Sequence, residues 1–134
     1  MVPRKKKKKQ TEFVWKPSEY KLSPIEGEIV LAIDESGSAE IATLVATIRD
    51  MVADFDQVLP TFAAAIERLH RLKLITMKKY EQWGNTRVAV SLDNIEIATV
   101  LQYLSDCPAT EWFEKYNFGP CDEIEICANY PVRG

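Results

Sequence analysis

Histidine is nearly absent from this chain of 134 residues: His70 stands alone, between Leu69 and Arg71. One imidazole has no second histidine with which to share a metal, and its setting inside a helical pattern argues against a catalytic role. Cysteine is scarce as well. Cys107, Cys121 and Cys127 contain no C-x-x-C pair, so no zinc site is expected, and an odd count cannot pair off internally. One disulfide is allowed, but reduced thiols and a cytoplasmic location fit the count better. Glycine is sparse, with five residues, and none belongs to a phosphate-cradling loop or a G-x-S-x-G elbow. The serine within "DESGSAE" sits between acids without a histidine partner. We therefore expect a protein that is not an enzyme, with no catalytic residue, no metal and no cofactor. No apolar run is long enough to span a bilayer, so no transmembrane segment is expected. The basic start "MVPRKKKKKQ" is not followed by an apolar segment, so no secretory signal is expected, and with Val2 no N-myristoylation is expected.

Hydrophobic residues make up 46% and charged residues 28%, an ordinary globular mixture with enough apolar material for one core. The net charge of −3 conceals zoning. Residues 1–21 hold eight Lys/Arg against two Glu, a balance of +6, which leaves −9 for the rest. Within the acidic remainder, residues 68–87 carry six bases against Glu81 alone. From Asp93 onward there are eight acids and two bases. Such zoning bears on partners rather than on fold.

The five successive lysines, Lys5, Lys6, Lys7, Lys8 and Lys9, repel one another and bury nothing, which predicts a disordered tail over 1–11 ahead of one globular domain over 12–134. Phe13, Val14 and Trp15 offer a short strand or an apolar clip onto the body, limited by Pro17. Ser23-Pro24-Ile25-Glu26 is a capping box with proline at the first helical position. Ile25, Ile29, Ala32 and Ile33 then share a face, and the helix should stop near Asp34. A second helix is expected to start at Ser38-Ala39-Glu40 and run to about Asp56, with Ile41, Leu44, Val45, Ile48, Val52 and Phe55 as its stripe. A third, over 59–73, turns Phe62, Ile66, Leu69 and Leu72 inward and Thr61, Ala64, Arg68 and Arg71 outward. Asp93 to Glu96 is another capping box, opening a fourth helix with Ile97, Val100, Leu101 and Leu104 inward. Thr110 to Tyr116 reads as a short helical turn, and residues 122–127 as a half-buried strand with an acidic outer face that adds to the hairpin.

Between the third and fourth helices, "LITMKKYEQWGNTRVAVSL" reads as a β-hairpin. A two-residue Gly84-Asn85 turn pairs Glu81 with Val88 and Lys79 with Val90, mixing charge into the face that the valines should bury. A three-residue Trp83-Gly84-Asn85 loop pairs Tyr80 with Val88 and Glu81 with Arg87, with Asn85 in the left-handed region. Cross-strand preferences favour the second register.

Three helices followed by a hairpin, over residues 22–92, resemble a winged helix-turn-helix domain. The stretches "GEIVLAI", "IATLVATIRD" and "FAAAIERLHRLKLI" are similar in hydrophobic pattern to the tri-helical core of small uncharacterised bacterial proteins. The expected fold is therefore α+β: a tri-helical winged-helix-like core with a β-hairpin, and an acidic extension over 93–134 that adds a helix and a strand. The resemblance implies a recognition helix over 59–73 and a wing over 75–91, and hence a DNA-binding, transcription-regulator-like function. The N-terminal part of that helix offers only Thr61, Ala63 and Ala64 to base edges, so contact should fall mainly on phosphates. The candidates are Thr61, Arg68, Arg71, Lys78, Lys79 and Arg87, with Lys5–Lys9 adding polyanion affinity.

Each of these has a plainer reading. The basic window can be a solvated helix end beside a charged hairpin, and the tail a solubilising extension. Phe13 and Trp15 are read as core packing rather than base stacking. Trp83, at the hairpin tip, is either an exposed interface anchor or folds back onto its own hairpin. Asp122, Glu123 and Glu125 are read as facing water rather than holding a cation. They also support the alternative function, a protein-interaction module of inhibitor or immunity type whose acidic half, 93–134, engages a basic partner.

Overall fold

The computed structural model describes residues 20–132, so the expectations for the lysine tail and for Phe13–Trp15 lie outside the described residues. Helix α1 spans Pro24–Ser36. Its capping box forms as expected: the Ser23 hydroxyl accepts from the Glu26 N–H, and the Glu26 carboxylate accepts from the Ser23 N–H at 2.9 Å. The helix ends at Gly37, whose φ of +90° suits a residue without a Cβ.

Residues Ser38–Glu40 do not open the second helix. They form a short strand, β1, and α2 covers only Ile41–Ile48. The stripe extended toward Phe55 is cut after Ile48 by two 3₁₀ turns, Arg49–Met51 and Phe55–Gln57. The Asp54 carboxylate accepts from the Asp56 N–H at 3.0 Å, a local bond that competes with helix continuation. Val52 and Phe55 keep helical spacing but are only half-buried, so little burial opposes the break. Helix α3 spans Val58–Arg71 and buries Phe62, Ile66 and Leu69, whereas Leu72 caps its end half-buried. Pro60 fits because first-turn N–H groups need no intrahelical acceptor.

Strands β2 (Ile75–Trp83) and β3 (Thr86–Ser91) form the hairpin with the two-residue turn, not the three-residue loop. Trp83 pairs with Thr86, Glu81 with Val88 and Lys79 with Val90. Gly84, at φ +63°, takes the left-handed position, and Asn85 does not. Glycine there with a negative φ after it is the type II′ arrangement, whose twist suits a two-residue hairpin. The reason for the difference is burial. Val88 and Val90 are half-exposed, so no buried face forbids Lys79 and Glu81 beside them. The Lys79 ammonium is held there by Glu81 and Glu96.

Helix α4 (Asn94–Asp106) has the expected Asp93/Glu96 capping box, α5 covers Ala109–Lys115, and β4 covers Ile124–Ala128. The protein is thus α+β, with five α-helices and a four-stranded antiparallel sheet among the described residues. The sheet order is β1-β4-β2-β3. The C-terminal strand therefore does more than extend the hairpin: it lies between β2 and β1. Ile75, Met77, Ile124 and Ile126 face the core, where they join Ile29, Ile33, Leu44, Phe62 and Trp112. The opposite face carries Thr76, Lys78, Tyr80, Glu125 and Cys127, by the two-residue alternation of strands.

Candidate functional site

Of the basic window, Arg68 is the most constrained. Its Nη1 donates to the Glu26 carboxylate at 2.5 Å and its Nη2 to the Tyr20 carbonyl at 3.1 Å. Glu26 is buried and already caps α1, so the guanidinium ties the start of α1 to the last turn of α3. Thr61, Ala64 and Arg71 do share the outward face of α3. With Ser23, Pro24 and Met51 they line a groove of about 540 Å³. Glu67 lines it too, so the groove carries both signs of charge.

The two hairpin lysines diverge because neighbours on a strand point to opposite faces. Lys79 lies on the core side and pairs with Glu96 at 2.5 Å and Glu81 at 3.5 Å. The Glu96 hydrogen bond holds the ammonium above its ordinary range, and the same bond holds the Glu96 carboxyl below its own. Lys78 lies on the outer face, between Glu125 and Ser91 in the cross-strand row. Arg87 shares that face. It pairs with Glu123 at 2.7 Å and stacks 4.2 Å from the Tyr80 ring centroid, so the expected Glu81–Arg87 pair is not formed. Tyr80 donates to Glu125 at 2.8 Å, a bond that raises its phenol above the usual range. Trp83 is 59% exposed at the tip, with its indole N–H donating to Glu81 at 3.1 Å. The candidate cations are therefore spread over the α1–α3 groove, the α4 side of the hairpin and the outer sheet face. Arg71 and Lys78 have no ion-pair partner among the described residues. Lys5–Lys9 lie outside them.

The acidic candidates are divided in the same way. Asp122 is exposed, Glu123 is engaged by Arg87, and Glu125 by Tyr80. They make no open carboxylate cluster.

The outward face of α4 was not among the sequence candidates. Its signal is simple: Ile95, Ala98, Thr99 and Gln102 repeat at helical spacing opposite the buried Ile97, Val100 and Leu104. Ile95 is 78% exposed, the most exposed large hydrophobic residue among the described residues. It lies in two adjoining hollows that share Thr99 and Pro120. The smaller, of about 230 Å³, reaches Lys79 and Ile124. The larger, of about 780 Å³, reaches Tyr103 and Asp106. Asp93, Asp106, Glu114, Asp122 and Glu123 are all exposed in this half of the chain, against Lys115 as its one base among the described residues.

The three cysteines are free. Burial pushes Cys121 up to about 12 and raises Cys107 and Cys127. Thiols held protonated in this way are weak nucleophiles. Cys107 lies 3.6 Å from the Tyr103 hydroxyl, whose own ionisation burial disfavours. Among the described residues no group of three His, Cys, Asp or Glu side chains is placed to hold a metal ion, and no helix is long and apolar enough to cross a membrane. Comparison with known proteins gives no match: no family model, no curated protein and no solved structure is significantly similar to the chain.

Proposed function

We propose that this is a protein-interaction module whose acidic half, residues 93–134, engages a basic, amphipathic segment of a partner through the outward face of α4. The observation that carries this reading is Ile95, 78% exposed in a hollow whose lining is mostly apolar and carries one carboxylate, Asp106. An amphipathic helix can lay an apolar face on Ile95, Ala98 and Pro120 and set a cation against Asp106. Free thiols support placing the module in the cytoplasm.

The test is titration of the labelled full chain with a lysine/leucine amphipathic helical peptide, followed by amide chemical shifts. We expect shifts confined to Asn94–Asp106 and its neighbours, and affinity lost in Ile95→Asp and Asp106→Lys but kept in Arg71→Gln. Equal binding by all four proteins, or none by any, overturns the reading.

The second reading is a winged-helix nucleic-acid binder. It is supported by the order α1-β1-α2-α3-β2-β3 and by Thr61, Arg71 and Lys78 at accessible positions. Against it stand the engagement of Arg68, Lys79 and Arg87 by carboxylates and the placement of β4 between β1 and the hairpin. Failure of the full chain to shift any duplex or single-stranded probe at low salt excludes it.

A further inference from the structure

The sheet has two edges. β1 is three residues long, whereas β3 has six and runs without a bulge through six consecutive pairs. An edge of that length presents unpaired N–H and C=O groups, which proteins usually guard with lysine, proline or a bulge. The sequence Thr86-Arg87-Val88-Ala89-Val90-Ser91 has one charge and no proline. That charge is drawn away from the edge: Arg87 leans back over the sheet onto the Tyr80 ring and Glu123. Among the described residues, the one element on which β3 packs substantially is β2.

The phase of the edge follows from one bond. The Leu92 N–H donates to the Met77 carbonyl at 3.0 Å, on the β2 side. Backbone groups alternate along a strand, so Val90, Val88 and Thr86 also turn inward. Arg87, Ala89 and Ser91 turn their N–H and C=O outward.

We propose that β3 is a homodimerisation edge, pairing antiparallel with β3 of a second copy about a twofold axis at Ala89. In this register Ala89 faces Ala89, and Arg87 faces Ser91 of the second copy. Every outward N–H and C=O finds a partner, and any shifted register leaves at least one residue unpaired. The sole charge never opposes itself, which satisfies an isologous interface. On the core side, Val88 meets Val90 of the second copy, and both half-exposed valines gain cover. The two four-stranded sheets become one continuous antiparallel sheet. The proposal stands on the strand edge alone and does not use the α4 hollow.

The test is sedimentation velocity of the full chain across a concentration series, with three variants. Ala89→Pro removes an outward N–H without touching the β2–β3 ladder, and Ala89→Lys sets like charges across the axis. Ala89→Cys places two thiols across the axis at a hydrogen-bonded pair, within reach of a short bifunctional thiol cross-linker. We expect a concentration-dependent dimer in the parent, weakened roughly tenfold or more by the proline and the lysine. The cross-linker should join two copies of Ala89→Cys but not of the parent. A parent that stays monomeric, or a dimer indifferent to Ala89→Lys and uncross-linked in Ala89→Cys, overturns the proposal.

Discussion

Arg68 joins three parts of the chain: the last turn of α3, the cap of α1 and the carbonyl of Tyr20. Its carboxylate partner Glu26 has a side chain only 9% exposed, while the guanidinium side chain is 34% exposed. Removing the guanidinium leaves a nearly buried carboxylate with a single N–H donor, from Ser23. Arg68→Ala should therefore destabilise the fold by about 1–3 kcal/mol, less than a fully buried pair because water reaches the arginine side. Urea denaturation measures this, and Glu26→Gln in a double-mutant cycle should recover part of the loss. A stability unchanged by Arg68→Ala refutes the clamp. The sequence exposes Arg68 as a cation on the outward face of α3, but its partner lies forty-two positions away. Helical spacing orders residues along one element and contains nothing about which second helix arrives. Ser23 with Glu26 and Asp93 with Glu96 were legible for the opposite reason, since each pair acts within one turn.

At the scale of elements, the hairpin shows how a sound local rule can choose the wrong register. Cross-strand pairing favoured Tyr80 opposite Val88, on the premise that Val88 and Val90 are buried. They are half-exposed, so turn chemistry decides instead, with Gly84 rather than Asn85 at positive φ. Gly84→Ala should cost about 1 kcal/mol through the left-handed backbone, while Asn85→Ala should stay within about 0.5 kcal/mol. The three-residue loop requires the larger loss at Asn85. Thermal unfolding of the two variants separates these arrangements. The same limit explains β1. Ser38–Glu40 has no strand pattern of its own; it becomes a strand because Ile126 and its neighbours arrive beside it. Helix α2 misled in the other direction, because apolar spacing continued past Ile48 after the burial that rewards it had ended.

For the whole molecule, the determining quantity is where charge of each sign resides. Residues 20–132 hold nine Lys/Arg and eighteen Asp/Glu, a balance of −9, and three of those bases are held by carboxylates. A polyanion approaching this body meets repulsion, relieved only locally near bases outside those ion pairs, such as Arg71 and Lys78. Lys5–Lys9 carry five charges without an intervening acid. Any affinity of the chain for heparin or DNA should therefore reside in the lysine run. Counterion release makes this measurable: each phosphate neutralised contributes about 0.9 to the slope of log K against log salt. Changing Lys5–Lys9 to glutamine in the full chain should lower that slope by about 4 and abolish retention at moderate salt, whereas Arg71→Gln should change it by at most about 1. If Arg71→Gln or Lys78→Gln produces the larger loss, the folded body has a phosphate-binding face, and the winged-helix reading displaces the protein-interaction reading.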